Sequence, residues 1–94
     1  MREISMGIET VLFKSEEKKS SNDVAITLRQ IADKIDDGNM ILKKGSEEIT
    51  VEFPKYMILE LKIEEEHGKR LKKSFEIELE WIVGDEQDDG ATIL

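Results

Sequence analysis

The chain has 94 residues, a formal net charge of −8 and no cysteine. This length predicts one domain, and the lack of cysteine excludes disulfides and thiolate-bound metals. Because the apolar runs are short and interrupted by charge, no membrane-spanning segment is expected. The lack of cysteine fits a reducing, cytoplasmic location.

The N-terminal part of the sequence predicts a loose end, then a strand, then a polar segment that leads into a helix. Residues 1–7 read as a flexible N-terminus. The segment "IETVLFK", residues 8–14, is rich in residues that favour strands and predicts a strand at the edge of a sheet. The polar residues that follow end in Ser20, Ser21 and Asn22, any of which could cap a helix.

One amphipathic helix is predicted over residues 22–37. Val24, Leu28, Ile31 and Ile35 recur at spacings of four, three and four, which places them on one helical face. Gly38 follows directly and is a typical residue just beyond the end of a helix.

The rest of the sequence predicts antiparallel strands. In "NMILKKGSEEITVEF", "YMILELKIEEE" and "LKKSFEIELEWI", apolar and charged residues alternate, and from Ile49 to Trp81 the alternating apolar residues have odd numbers. Directly opposed residues share a face, so the loop around His67 and Gly68 must contain an odd number of residues, or a β-bulge must intervene. One register that satisfies this condition sets Lys62 opposite Glu76.

These elements predict an α+β fold in which a single helix packs on one face of a mainly antiparallel meander sheet of four to five strands. The domain is expected over residues 8–83, and residues 84–94 are expected to form an acidic, disordered tail. The helix stripe and the odd-numbered strand face together predict the structural core, which consists of Trp81, Leu79, Ile77, Phe75, Leu28, Ile31 and Ile35.

The order of these parts resembles a known family. The run "ETVLFKSEEKKSSNDVAITLRQIADKI", then "GNMILKKGSEEITVEFP", then an acidic amphipathic strand ending in Trp81 is similar to the Amphi-Trp domain, over about residues 8 to 83. The resemblance implies a small prokaryotic domain and makes Trp81 the residue that matches the family's hallmark tryptophan. It implies no activity, so it leaves the function open.

Catalytic chemistry is not expected from this sequence. His67 is the single histidine and precedes Gly68 at a predicted hairpin tip, without partners that would make it catalytic or metal-binding. The carboxylates fall mainly on the even-numbered strand face, where exposure to solvent explains them. We therefore expect no enzyme activity, no cofactor and no bound metal.

A break in the alternation predicts a binding surface. Tyr56, Ile58 and Ile82 are apolar residues on the even-numbered, otherwise charged face. They favour a protein–protein interaction module with an unknown protein partner. The alternative is a small-molecule-binding domain that uses the gap between helix and sheet. Nucleic acid is disfavoured because no basic patch occurs. Homo-oligomerisation through the same residues is the less favoured use, because the net charge opposes self-association.

The composition also predicts heat tolerance. Charged residues make up 38% of the chain, which is above the usual quarter. We expect an unfolding midpoint above the ~45–65 °C typical of mesophilic domains, because ion-pair networks contribute more as temperature rises. A melting curve followed by circular dichroism measures it. A midpoint inside the mesophilic range would contradict the prediction.

Overall fold

A computed structural model describes residues 7–84 of the chain. It confirms the α+β class, with one helix and four antiparallel strands, and the strands form two two-stranded sheets rather than one meander. The contacts divide the chain into two units that meet in sequence between Phe53 and Pro54. Residues 1–6 and 85–94, including most of both predicted terminal segments, lie outside the described residues. The elements are α1 (Ser21–Asp37), β1 (Asn39–Lys44), β2 (Glu47–Glu52), β3 (Ile58–His67) and β4 (Leu71–Glu80).

Helix α1 has a defined cap at each end. Ser20 is extended, and its Oγ accepts a hydrogen bond from the Asp23 backbone N–H at 3.1 Å, which satisfies one of the helix's unpaired donors. Gly38 has a φ of +94° and its N–H donates to the carbonyls of Lys34 and Ile35. Only glycine adopts this left-handed conformation without steric cost, so Gly38 ends the helix where predicted.

The first hairpin, β1–β2, presents one apolar face. Met40 lies opposite Val51 and Leu42 lies opposite Ile49, and all four side chains are half-buried. Helix α1 contacts β1 within the same unit. The helix and this hairpin therefore lie in the same compact unit. The contact between α1 and β1 is the part of the predicted packing of helix on sheet that the structure shows.

The loop of this hairpin contains two residues, because Lys44 pairs with Glu47 and only Gly45 and Ser46 remain outside the ladder. Gly45 has a φ of +61°. Ser46 has no positive φ, because in the described part of the chain only glycines do. Glycine at the first central position is typical of a type II′ turn, whose twist matches the strands it joins.

The prediction of a strand over residues 8–14 is wrong. This segment is irregular, and Ile8, Val11 and Leu12 are 92%, 77% and 71% exposed. The Lys44 ammonium donates to the Lys14 carbonyl at 3.3 Å, which is a side-chain contact and not a backbone ladder. A strand requires a neighbouring backbone to satisfy its N–H and C=O groups, and β-favouring side chains do not supply one.

The second hairpin, β3–β4, is longer. Its ladder runs from Ile58 opposite Glu80 to His67 opposite Leu71, and Lys62 lies opposite Glu76. The loop therefore consists of residues 68–70, which confirms the prediction of an odd number of loop residues. Residues 53–57 connect β2 to β3 in sequence.

Within residues 7–84, α1 is the only helix, and it lacks the length and apolar character that crossing a bilayer would require.

The cap at Ser20 predicts a measurable loss on truncation. Ser20→Ala should reduce the free energy of unfolding by about 1 kcal/mol, because it removes the acceptor for the Asp23 N–H. Urea unfolding followed by circular dichroism measures the change. Ser21→Ala is the matched control, because no hydrogen bond to its hydroxyl is found within the described residues. Equal effects of the two substitutions would show that Oγ of Ser20 does not cap the helix.

Candidate interaction surface

The β3–β4 hairpin has two chemically different faces. Residues opposite one another share a face, so the ladder builds one face from odd-numbered residues and one from even-numbered residues. The odd-numbered face contains three apolar cross-strand pairs, Leu59–Leu79, Leu61–Ile77 and Ile63–Phe75. The even-numbered face contains six carboxylates and two lysines between Ile58 and Glu80. These are Glu60, Glu64, Glu66, Glu76, Glu78, Glu80, Lys62 and Lys72.

The three predicted interaction residues lie at the open end of this hairpin, away from its loop. Ile58 begins β3 opposite Glu80, Tyr56 precedes it by two positions and Ile82 follows Glu80 by two. Their side chains are 75% (Tyr56), 65% (Ile58) and 72% (Ile82) exposed. We call these three residues the apolar patch. The Lys55 ammonium lies 5.8 Å from the centre of the Tyr56 ring, within range of a cation–π contact.

The residues next to the apolar patch on the same face are acidic. Glu60 lies directly opposite Glu78, and Glu80 lies opposite Ile58. Lysine neutralises the face only further along, where Lys62 Nζ is 3.9 Å from Glu64 and 3.8 Å from Glu76. The apolar patch therefore borders a cluster of like charges. From the sequence, these carboxylates were expected to form an ordinary solvated face, because the opposition of Glu60 and Glu78 depends on the register of the hairpin.

The predicted core residues have intermediate or high exposure. Trp81, Leu79, Ile31 and Ile35 are half-buried, whereas Phe75, Ile77 and Leu28 are 61%, 47% and 43% exposed. None of the residues from 7 to 84 is fully buried. The assignment of these seven residues to a common core stays a prediction.

A depression of about 500 Å³ lies near the loop end of the hairpin. His67, near this end, has its Nε2 3.5 Å from a Glu65 carboxylate oxygen. Within the described residues, no group of three or more His, Cys, Asp or Glu side chains is arranged to hold a metal ion. The small-molecule site predicted between helix and sheet stays a prediction. The depression is lined by Glu64, Glu65, Glu66, Lys72, Ser74 and Glu76.

The chain has an α+β fold in which the two longest strands, β3 and β4, form an amphipathic hairpin, and Trp81 directly follows β4. The Amphi-Trp domain family matches residues 6–93, nearly the whole chain. The chain therefore belongs to the Amphi-Trp domain family. No match was found among curated proteins, and none was found among solved structures.

Trp81 is the sole tryptophan of the chain and follows β4 directly. Trp81→Ala should reduce the free energy of unfolding by about 2.5 kcal/mol, because a half-buried indole hides roughly 100 Å² and each Å² contributes about 25 cal/mol. Urea unfolding followed by circular dichroism measures the loss. Tyr56→Ala, at a side chain that is 75% exposed, is the aromatic control and should cost far less. An unchanged unfolding curve for Trp81→Ala would instead favour an indole that serves as a ligand platform.

Proposed function

We propose that this domain is a protein–protein interaction module that binds its partner through the apolar patch at the open end of the β3–β4 hairpin. The observation that carries the proposal is the 65–75% exposure of Tyr56, Ile58 and Ile82 at the open end of the hairpin, where Ile58 begins an otherwise charged face and the other two residues lie just beyond the ladder. Apolar side chains concentrated within a polar surface are typical of docking sites.

The composition of the apolar patch suits binding. Tyrosine provides a large contact area with few rotatable bonds, and it is enriched among the residues that dominate binding energy. Burying an isoleucine side chain in an interface contributes about 1.5–3 kcal/mol before the costs of association are subtracted. Three such residues give a modest gain, so we expect a small interface and reversible binding.

The proposed role is non-catalytic, because the apolar patch contains no nucleophile and no acid–base pair. A second copy of the chain is a less favoured occupant, because two faces that each have more carboxylates than lysines repel one another.

Substitution of the apolar patch should abolish partner capture. The tagged double variant Ile58→Ser/Ile82→Ser should recover far less of the proteins that copurify with the wild type from its own cells, because both side chains lose their apolar contact area. Quantitative mass spectrometry of the captured proteins measures the change, and light scattering of the purified chain reports self-association.

The matched control is Ile8→Ser, because Ile8 is 92% exposed and lies outside the hairpin. It should capture the same proteins as the wild type. Unaltered capture by Ile58→Ser/Ile82→Ser, with a melting curve like that of the wild type, would contradict the proposal.

A further inference from the structure

We infer that the partner of the apolar patch is a basic protein segment, in which apolar side chains stand next to lysine or arginine. This inference rests on the proposed function and specifies the chemistry of the partner. It is carried by the placement of Glu60, Glu78 and Glu80 on the same face, directly beside Ile58.

The pairing of Glu60 with Glu78 has a cost for the folded hairpin. Like charges directly opposite one another destabilise a strand pair, and Glu80 adds a third carboxylate on the same face, two positions after Glu78. Elsewhere the ladder places opposite charges across from one another, as in Lys62–Glu76 at 3.8 Å and Glu65–Lys73 at 3.3 Å. The unfavourable pair therefore occurs only in the part of the hairpin that borders the apolar patch.

These carboxylates remain available to a partner. Within the described residues, no lysine or arginine nitrogen lies within 4 Å of Glu60, Glu78 or Glu80, and all three residues are exposed. Lys62, which follows Glu60 on this face of β3, is shared by Glu64 and Glu76. A basic partner would supply the missing positive charge, and its apolar side chains would cover Ile58 and Ile82.

Charge complementarity also discriminates between occupants. A second copy would bring an equal excess of carboxylates to the interface, and an acidic or phosphate-bearing partner would be repelled in the same way. A segment that has apolar and basic residues on one of its faces, such as at every second position of an extended strand, places both kinds of side chain within reach of the hairpin face. Such a segment is the occupant that the surface fits best.

The experiment measures fluorescence anisotropy of a labelled short peptide that combines leucine with lysine. The comparison probe is the same peptide with glutamine in place of every lysine. The full chain should bind the lysine peptide in preference to the glutamine peptide. Raising the salt concentration should weaken binding of the lysine peptide alone, because exposed charges are screened. Glu78→Gln/Glu80→Gln should weaken binding of the lysine peptide about fivefold.

Glu64→Gln/Glu66→Gln is the charge-matched control. It removes the same charge from the same face, but Glu64 is four positions from Glu60 along β3, or about 13 Å. This separation exceeds the Debye length of about 10 Å at 0.1 M salt, so the control should bind the lysine peptide nearly as well as the wild type does. Melting curves of both double variants check folding. Removal of a like-charge pair should leave Glu78→Gln/Glu80→Gln at least as stable as the wild type.

Several outcomes would overturn the inference. Equal weakening by both glutamine double variants would show that only the overall charge matters. Equal binding of the two peptides, lost in Ile58→Ser/Ile82→Ser, would leave the proposed function standing and remove the basic partner. No binding of the lysine peptide would also reject the inference, while the capture experiment would still decide the proposed function. Binding that survives Ile58→Ser/Ile82→Ser would reject the apolar patch itself.

Discussion

The register that sets Leu59 opposite Leu79 is the constraint on which the chemistry of the second unit depends. Side chains alternate between the faces of a strand, so a slip of one strand by one residue would move its apolar side chains to the acidic face and most of its carboxylates to the apolar face. Apolar cross-strand pairs resist such a slip, because each would be exchanged for contact between an apolar group and a charge. The same register that joins apolar residues on one face brings Glu60 and Glu78 together on the other.

The two hairpins have loops of different lengths, and their registers differ accordingly. In β1–β2 the loop contains only Gly45 and Ser46, so an even-numbered residue faces an odd-numbered one, and the half-buried apolar residues of β1, Met40 and Leu42, are accordingly even-numbered. In β3–β4 the loop contains residues 68–70, and residues of the same parity face each other. Loop length and the phase of the apolar pattern agree in both hairpins, and this agreement between local and longer-range preferences is what specifies a structure.

Local signals made much of this fold predictable from the sequence. The spacing from Val24 to Ile35 predicted the helix and Gly38 predicted its end. The odd numbers of the alternating apolar residues predicted an odd loop around His67 and Gly68, or a bulge. The irregular path of residues 8–14 was not predictable, since strand formation depends on a neighbouring backbone that side-chain preferences do not reveal. The division into two sheets depends on which strands pair, and alternation alone does not determine pairing. At the candidate surface, the exposed apolar residues were visible as a break in alternation, whereas the like-charged neighbours required the register.

The hydrogen bond from the Phe53 N–H to the Gly38 carbonyl, at 2.9 Å, joins the end of α1 to the end of the β1–β2 hairpin. The residue that terminates the helix thus also accepts the bond that closes the unit, and the intervening chain is a hairpin with a two-residue loop. Closing such a short loop has a small entropic cost. Helices form in about a microsecond and hairpins in about 1–10 microseconds. Helix α1 and the β1–β2 hairpin are therefore joined by contacts that are near in sequence, a topology that folds fast.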